Sequence, residues 1–208
     1  MPGEPTFPAS ATSYSSSNRH SYPALGDSVT FGYNPLLLTK PGVKPSDFVG
    51  YPQRASGLFR PKLKVVNANC PGETSTGLIT GSRPDNGCQD FRAAIGLHVS
   101  QGSQLKYAES YIAANRRITF VSLMIGANDL FRLQAACTAT APHNINRCII
   151  AGLPGLLYTL GKNLNTIYSG LRAAGYRGEF VAVTYYSTDS ATPSSPAQLP
   201  LSTAFSRV

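Results

Sequence analysis

The sequence contains few of the residues that would indicate several common kinds of function. Of its 208 residues, 13% are charged, only four are cysteines and only three are histidines. It has no run of ~18 consecutive apolar residues, so we expect no membrane span. No Cys-x-x-Cys pair or histidine set has the spacing of metal ligands, so we expect no metal site.

The basic residues outnumber the acidic ones, but they do not form a nucleic-acid motif. The net charge is +8, and the basic residues are dense only at 60–64 and at 116–117. Such scattering predicts a solvated basic face and argues against nucleic-acid binding. That face would favour anionic surfaces or acidic polymers by a long-range attraction that salt weakens.

Composition also divides the chain. Residues 1–18 are rich in Ser, Pro and Thr and lack the apolar core of a signal peptide. We interpret 1–18 as a flexible leader that follows a removed and replaced signal. Residues 19–208 are enough for one domain with a sizeable core. After Ser187 the chain is again rich in Ser, Thr and Pro, and we expect it to be irregular.

Apolar runs alternate with helical patterns along the rest of the chain. The runs predict four short, buried strands at 21–25, 63–66, 118–125 and 179–185. Leucines at helical spacing predict a helix over 153–171, with Pro154 in its first turn and Gly175 at its end. A second helix is predicted over 105–115. The segment 69–102 is rich in Gly, Ser, Pro and polar residues and is predicted to be a loop-rich insertion. Alternation of this kind predicts a parallel sheet with right-handed crossovers.

Three polar segments directly follow predicted strands. They are Gly26-Asp-Ser28, Pro71-Gly-Glu-Thr74 and Gly126-Ala-Asn-Asp129. Taken alone, each is also a common turn or helix-capping sequence. Because ligands bind at the carboxyl ends of parallel strands, the three segments can converge there despite their separation in sequence.

In this order the three segments resemble the conserved blocks of the SGNH (GDSL) hydrolase family. The resemblance implies a three-layer α/β/α, flavodoxin-like fold with strand order 2-1-3-4. It also implies that Ser28 is the nucleophile. The backbone N–H groups of Ser28 and Gly72 and the side-chain amide of Asn128 would form the oxyanion hole. No metal or organic cofactor is implied.

The fourth block of that family, an Asp-x-x-His motif, is absent. A serine hydroxyl needs a general base to accept its proton. We interpret His20, His98 and His143 as surface residues. The base and its orienting acid are therefore expected from sequence beyond Val208, or from a separate C-terminal chain, together with the family's last strand or His-bearing segment. Asp27 and Asp129 are interpreted as structural residues that support their loops.

The four cysteines suit a secreted protein. They permit three connectivities, of which Cys70–Cys88 with Cys137–Cys148 is favoured, because each bridge closes a short local loop beside a block. Four buried thiols in a cytosolic protein are the alternative.

Together these observations predict an extracellular serine hydrolase that cleaves carboxylic esters of lipids or acylated carbohydrates. The alternative from another class is a non-catalytic binding module that keeps the pocket without the base. A phosphate or sulfate site at the turn 26–31 is a third interpretation, although this turn lacks the glycines of a P-loop.

Overall fold

The computed structural model describes residues 21–97, 99, 101–115 and 117–185. The predicted leader at 1–18, the irregular segment after Ser187, His20 and His98 lie outside the described residues.

The strands form one parallel sheet. They are β1 (Ser21–Gly26), β2 (Lys64–Asn67), β3 (Phe120–Met124) and β4 (Glu179–Ala182), in the order β2-β1-β3-β4. In the register of the sheet, Ala24 of β1 lies opposite Asn67 at the end of β2, and Gly26 lies opposite Met124 at the end of β3. The carboxyl ends of the three strands that precede the polar segments are therefore neighbours, as predicted.

Helices flank both faces of the sheet and complete a three-layer α/β/α, flavodoxin-like architecture. The helices are α1 (Ser28–Phe31), α2 (Tyr51–Ser56), α3 (Ser75–Thr80), α4 (Cys88–Ala94), α5 (Gln104–Ala114), α6 (Ala127–Thr140) and α7 (Ile145–Ala173). Alternate side chains of the strands point to opposite faces. On one face, the larger core combines β1 and β3 with α3, α5 and α7 through Leu25, Leu78, Leu105, Ile112, Val121, Leu123, Ile167 and Leu171. On the other, Tyr22 and Ala24 pack against Ala55 of α2 and against Leu63.

Burial differs between the inner and outer strands. Five of the six residues of β1 and four of the five of β3 are buried, whereas β4 has no buried residue. The prediction of four buried strands is therefore wrong for β4, and β2 has only one buried residue. Both lie at an edge of the sheet, where a strand has a neighbour on one side only.

The long helix α7 begins earlier than predicted. It starts at Ile145, so that Pro154 lies inside the helix and not in its first turn. Proline removes one backbone hydrogen bond of a helix. Cys148, in the first turn of α7, is bonded to Cys137 of α6, which holds the segment before the proline in place. Gly175, with φ 96°, follows the end of α7 as predicted.

The segment 69–102 was predicted to be loop-rich, and it also contains α3 and α4. Thr74 caps α3, since its hydroxyl accepts a hydrogen bond from the N–H of Gly77 at 3.0 Å. The helix-starting interpretation of Pro71–Thr74 is thus correct as a local description.

The cysteines pair as the sequence analysis favoured. Cys70 is bonded to Cys88 and Cys137 to Cys148, with Cα–Cα distances of 5.5 and 5.6 Å. Within the described ranges, no helix combines the length and the apolar character needed to cross a membrane.

We expect the bridge between α6 and α7 to stabilise the fold. Replacing both Cys137 and Cys148 by alanine removes a crosslink that spans 11 residues of sequence. A bridge around a loop of this size stabilises the folded state by about 3 kcal/mol, because it restricts the unfolded chain. Urea unfolding should show a loss of about 2–4 kcal/mol. Wild-type protein, denatured but not reduced, should bind no thiol reagent, and free thiols in it would contradict the assigned bridges.

Candidate functional site

Ser28 lies at the turn between β1 and α1. Asp27 caps α1, because its Oδ1 accepts the N–H of Val29 at 3.1 Å. Asp27 is buried and Ser28 half-buried. Ser28 borders an open depression of about 530 Å³ whose other lining residues are Val29, Gly32, Tyr33, Asn34 and Val49. Since α1 has only four residues, we assign no charge effect to its N-terminus.

A buried glutamine joins the end of β1 to the second polar segment. Gln104 accepts the N–H of Gly26 at 3.1 Å through Oε1 and donates through Nε2 to the carbonyl of Gly26 at 2.8 Å. Its Nε2 also donates to Oε2 of Glu73 at 2.9 Å. One side chain thereby holds the strand that leads to Ser28 against the residue that follows Gly72.

Gly72 forms a tight turn against Asn86. Its φ of 82° is one that other residues rarely adopt. A Cβ atom at this position would collide with the carbonyl oxygen of Asn86. The carbonyl of Gly72 accepts the N–H of Asn86 at 2.8 Å. Among the described residues, no acceptor is bonded to the N–H of Gly72 or to that of Ser28.

Asn128 is held in one amide orientation by two neighbours. Its Nδ2 donates to the carbonyl of Glu73 at 2.9 Å, and its Oδ1 accepts from Nδ2 of Asn86 at 3.0 Å. Asn128 is buried, with 5% exposure. Because a side-chain amide has two N–H donors, one remains after the bond to Glu73.

The structural role predicted for Asp129 is visible in its contacts. Asp129 accepts the backbone N–H of Ser75 at 2.9 Å and the hydroxyl of Ser75 at 2.6 Å. Asn163 of α7 donates to the same hydroxyl at 2.8 Å. These bonds hold the start of α3 against the start of α6.

Tyr185 connects the first and third polar segments. Its hydroxyl donates to Oδ2 of Asp27 and accepts the N–H of Ala127 at 3.4 Å. Ser28, Gly72 and Asn128 therefore lie on three loops that are joined pairwise by hydrogen bonds. The sequence analysis named those three residues, but it missed Gln104 and Tyr185, whose contacts span 78 and 158 residues.

Two buried carboxyl groups in these hydrogen-bonded loops, those of Glu73 and Asp27, have raised pKa values. Burial raises the pKa of Glu73 to about 7, although the Gln104 amide and the Arg92 guanidinium oppose the shift. Burial also raises the pKa of Asp27 to about 6, against the Tyr185 hydroxyl and the Val29 N–H. Arg92, at 3.3 Å from Oε2 of Glu73, has its own pKa lowered by burial.

No described histidine is placed to act as a base for Ser28. His143 is exposed, as predicted, in the turn between α6 and α7. Since α6 begins beside Asn128, the 14 residues of that helix carry the chain about 20 Å away from the site before His143. The described part of the chain also has no group of three or more His, Cys, Asp or Glu side chains able to hold a metal ion.

The raised pKa values predict how stability depends on pH. Glu73 and Asp27 have ordinary pKa values of 4.5 and 3.8, below their values in the folded protein. The folded state thus binds more protons than the unfolded state between these limits, and the free energy of unfolding contributed by these groups falls as pH rises from about 4 to about 7.

Glu73→Gln should remove about half of this dependence and leave the part that belongs to Asp27, because the glutamine amide is neutral at every pH and can keep the bond to Gln104. Chemical unfolding of both proteins at several pH values measures the difference, which we expect to be on the order of 2–3 kcal/mol at the alkaline end. Asp90→Asn, at an exposed position on α4, is the control and should leave the profile unchanged. Parallel profiles for wild type and Glu73→Gln would contradict the prediction.

Comparisons of this chain with protein-family models, with curated proteins and with solved structures found no match.

Proposed function

We propose that this protein is an extracellular serine hydrolase of the SGNH type that cleaves carboxylic esters. The observation that carries the proposal is the joined set of three strand-end loops, which supplies a half-buried hydroxyl at Ser28 and unengaged backbone donors at Ser28 and Gly72. Asn128 adds an amide whose orientation is held by its neighbours. A nucleophile and N–H donors that can hold an oxyanion are what acyl transfer requires.

The chemistry assigns a different task to each group. The Ser28 Oγ attacks the ester carbonyl, and the carbonyl oxygen becomes an oxyanion. The N–H groups of Ser28 and Gly72 and the amide of Asn128 bind that oxyanion. Collapse of the tetrahedral intermediate expels the alcohol and leaves an acyl-serine, which water then hydrolyses. The proton of Ser28 passes to a general base, which none of the described residues supplies.

The compartment is inferred from the bridges. Both pairs of cysteines form disulfides, and structural disulfides persist in oxidising compartments. This supports an extracellular protein over a cytosolic one with four buried thiols. The substrate class, lipid or acyl-carbohydrate ester, follows only from the resemblance to the family.

A binding module without catalysis is the second candidate. It is favoured by one observation, namely that the described histidine lies far from Ser28. In such a module the same donors would hold the carboxylate or carbonyl of a ligand, and no covalent step would occur. Variants of Ser28 and Asn128 distinguish the two candidates.

If the protein is a hydrolase, Ser28→Ala should abolish hydrolysis of short aryl esters. The assay uses a longer chain, or this chain with a separate C-terminal chain, that supplies the general base. Asn128→Ala should lower kcat by about 10²–10³, because one oxyanion donor is lost. Spectrophotometric release of the aryl alcohol measures both. Asn115→Ala is the matched control: Asn115 ends α5 and bonds to Tyr111, so hydrolysis should be unchanged. Wild-type rates in Ser28→Ala would refute the assigned nucleophile.

Because none of the described residues is placed as a base, we make a separate prediction for the 208-residue chain. Without a base, Ser28 stays protonated and should react only slowly with an organophosphonate. Added imidazole, or a peptide bearing Asp-x-x-His, should accelerate labelling, which intact mass measures. His143→Ala should not change the rate. Rapid labelling of wild type without additions, lost in a histidine variant, would identify a base within the chain and contradict this expectation.

A further inference from the structure

The loop that follows Ser28 carries four exposed apolar side chains. Between α1 and α2, Leu36 is 73% exposed, Val49 52%, and Tyr33 and Leu38 40% each. We call Tyr33, Leu36, Leu38 and Val49 the apolar rim. Exposed apolar side chains that are grouped on one loop are unfavourable in water and often mark an interaction surface.

The apolar rim is continuous with the candidate site. Tyr33 and Val49 line the depression beside Ser28. Asn34, which lines the same depression, accepts the N–H of Leu36 at 3.0 Å and so fixes the leucine turn at its border. A partner that covered the rim would therefore lie at the mouth of the depression.

The charges on this loop indicate the partner. Lys40 and Lys44 are exposed and follow the leucine turn along the same loop. Asp47, the one acidic residue between 33 and 49, is folded back and accepts the N–H of Lys44 at 2.8 Å. Exposed leucines with neighbouring lysines match the boundary between acyl chains and anionic headgroups.

Other exposed apolar side chains lack this combination. Leu58 is 83% exposed and has basic neighbours at Arg60 and Lys62. It precedes the amino end of β2, however, whereas Ser28 follows the carboxyl end of β1. On α6 and α7, Phe131, Ile150, Leu157 and Tyr158 are 51%, 67%, 47% and 70% exposed, but none of them lines the depression beside Ser28.

We propose that the apolar rim, with Lys40 and Lys44, docks the protein on an anionic phospholipid surface, with the mouth of the Ser28 depression facing the lipid. Only the delivery of a lipid ester to Ser28 rests on the proposed function. Docking does not require Ser28, so the two can fail separately.

Co-sedimentation of the full 208-residue chain with vesicles tests the proposal. Binding to phosphatidylcholine vesicles that contain phosphatidylglycerol should exceed binding to pure phosphatidylcholine, and added salt should reduce the difference. Leu36→Asp combined with Leu38→Asp should lower the partition coefficient more than tenfold. Lys40→Glu or Lys44→Glu should lower it about fivefold or more. Ser28→Ala should bind as wild type does.

Leu58→Asp and Leu157→Asp are the matched controls and should bind as wild type does. Leu36→Ser with Leu38→Ser provides a second, milder variant, and thermal unfolding confirms that each variant is folded. Absence of binding to the anionic vesicles would overturn the proposal. Wild-type binding by the rim variants, or an equal loss in Leu58→Asp or Leu157→Asp, would also overturn it.

Discussion

The site depends on the buried carboxamide of Gln104. At the end of β1 the backbone leaves the sheet, and Gly26 needs new partners for its N–H and its carbonyl. Gln104 satisfies both groups and uses its second N–H on Glu73. An amide has one oxygen acceptor and two N–H donors, so all of these hydrogen-bonding functions are engaged. No other side chain of similar length offers this set: glutamate lacks the donors and lysine lacks the acceptor.

The carboxyl group of Glu73 is the second element of that arrangement. It is fully buried, and it sits beside the guanidinium of Arg92, which also donates to the carbonyl of Ala68 at 3.1 Å. Burying charge is unfavourable even when it is paired, and Oε1 of Glu73 has no partner in the described part of the chain. The raised pKa of Glu73 reflects this cost. Glu73 positions two neighbours: its backbone carbonyl binds the amide of Asn128, and its side chain binds that of Gln104. The amide of Asn128, which we propose as an oxyanion donor, is thus held in position by Glu73.

Sequence patterns predicted the parts of this structure that depend on local periodicity. The apolar runs located all four strands, and the polar segments that follow three of them contain Ser28, Gly72 and Asn128. The patterns failed where tertiary contacts override local preference. Proline is favoured in the first turn of a helix, but α7 already begins at Ile145, where the Cys137–Cys148 disulfide and packing against α6 hold the residues before Pro154. Gln104 and Tyr185 had no sequence signal, because a polar residue at the start of a helix or the end of a strand is ordinarily exposed, and only the folded chain brings their partners within reach.

The contacts of Tyr185 also bear on where a base for Ser28 can come from. Its hydroxyl touches both Asp27 and the start of α6, so the described chain after β4 lies beside the loop that carries Ser28. His143, at the far end of α6, starts about 20 Å away. Asp27, next to Ser28, is already engaged through both oxygens and serves the loop. Contacts within the segments from Gly26 to Asp129 thus hold Ser28, Gly72 and Asn128 in place, and Tyr185 adds a contact from the end of the described chain to Asp27, the residue before Ser28.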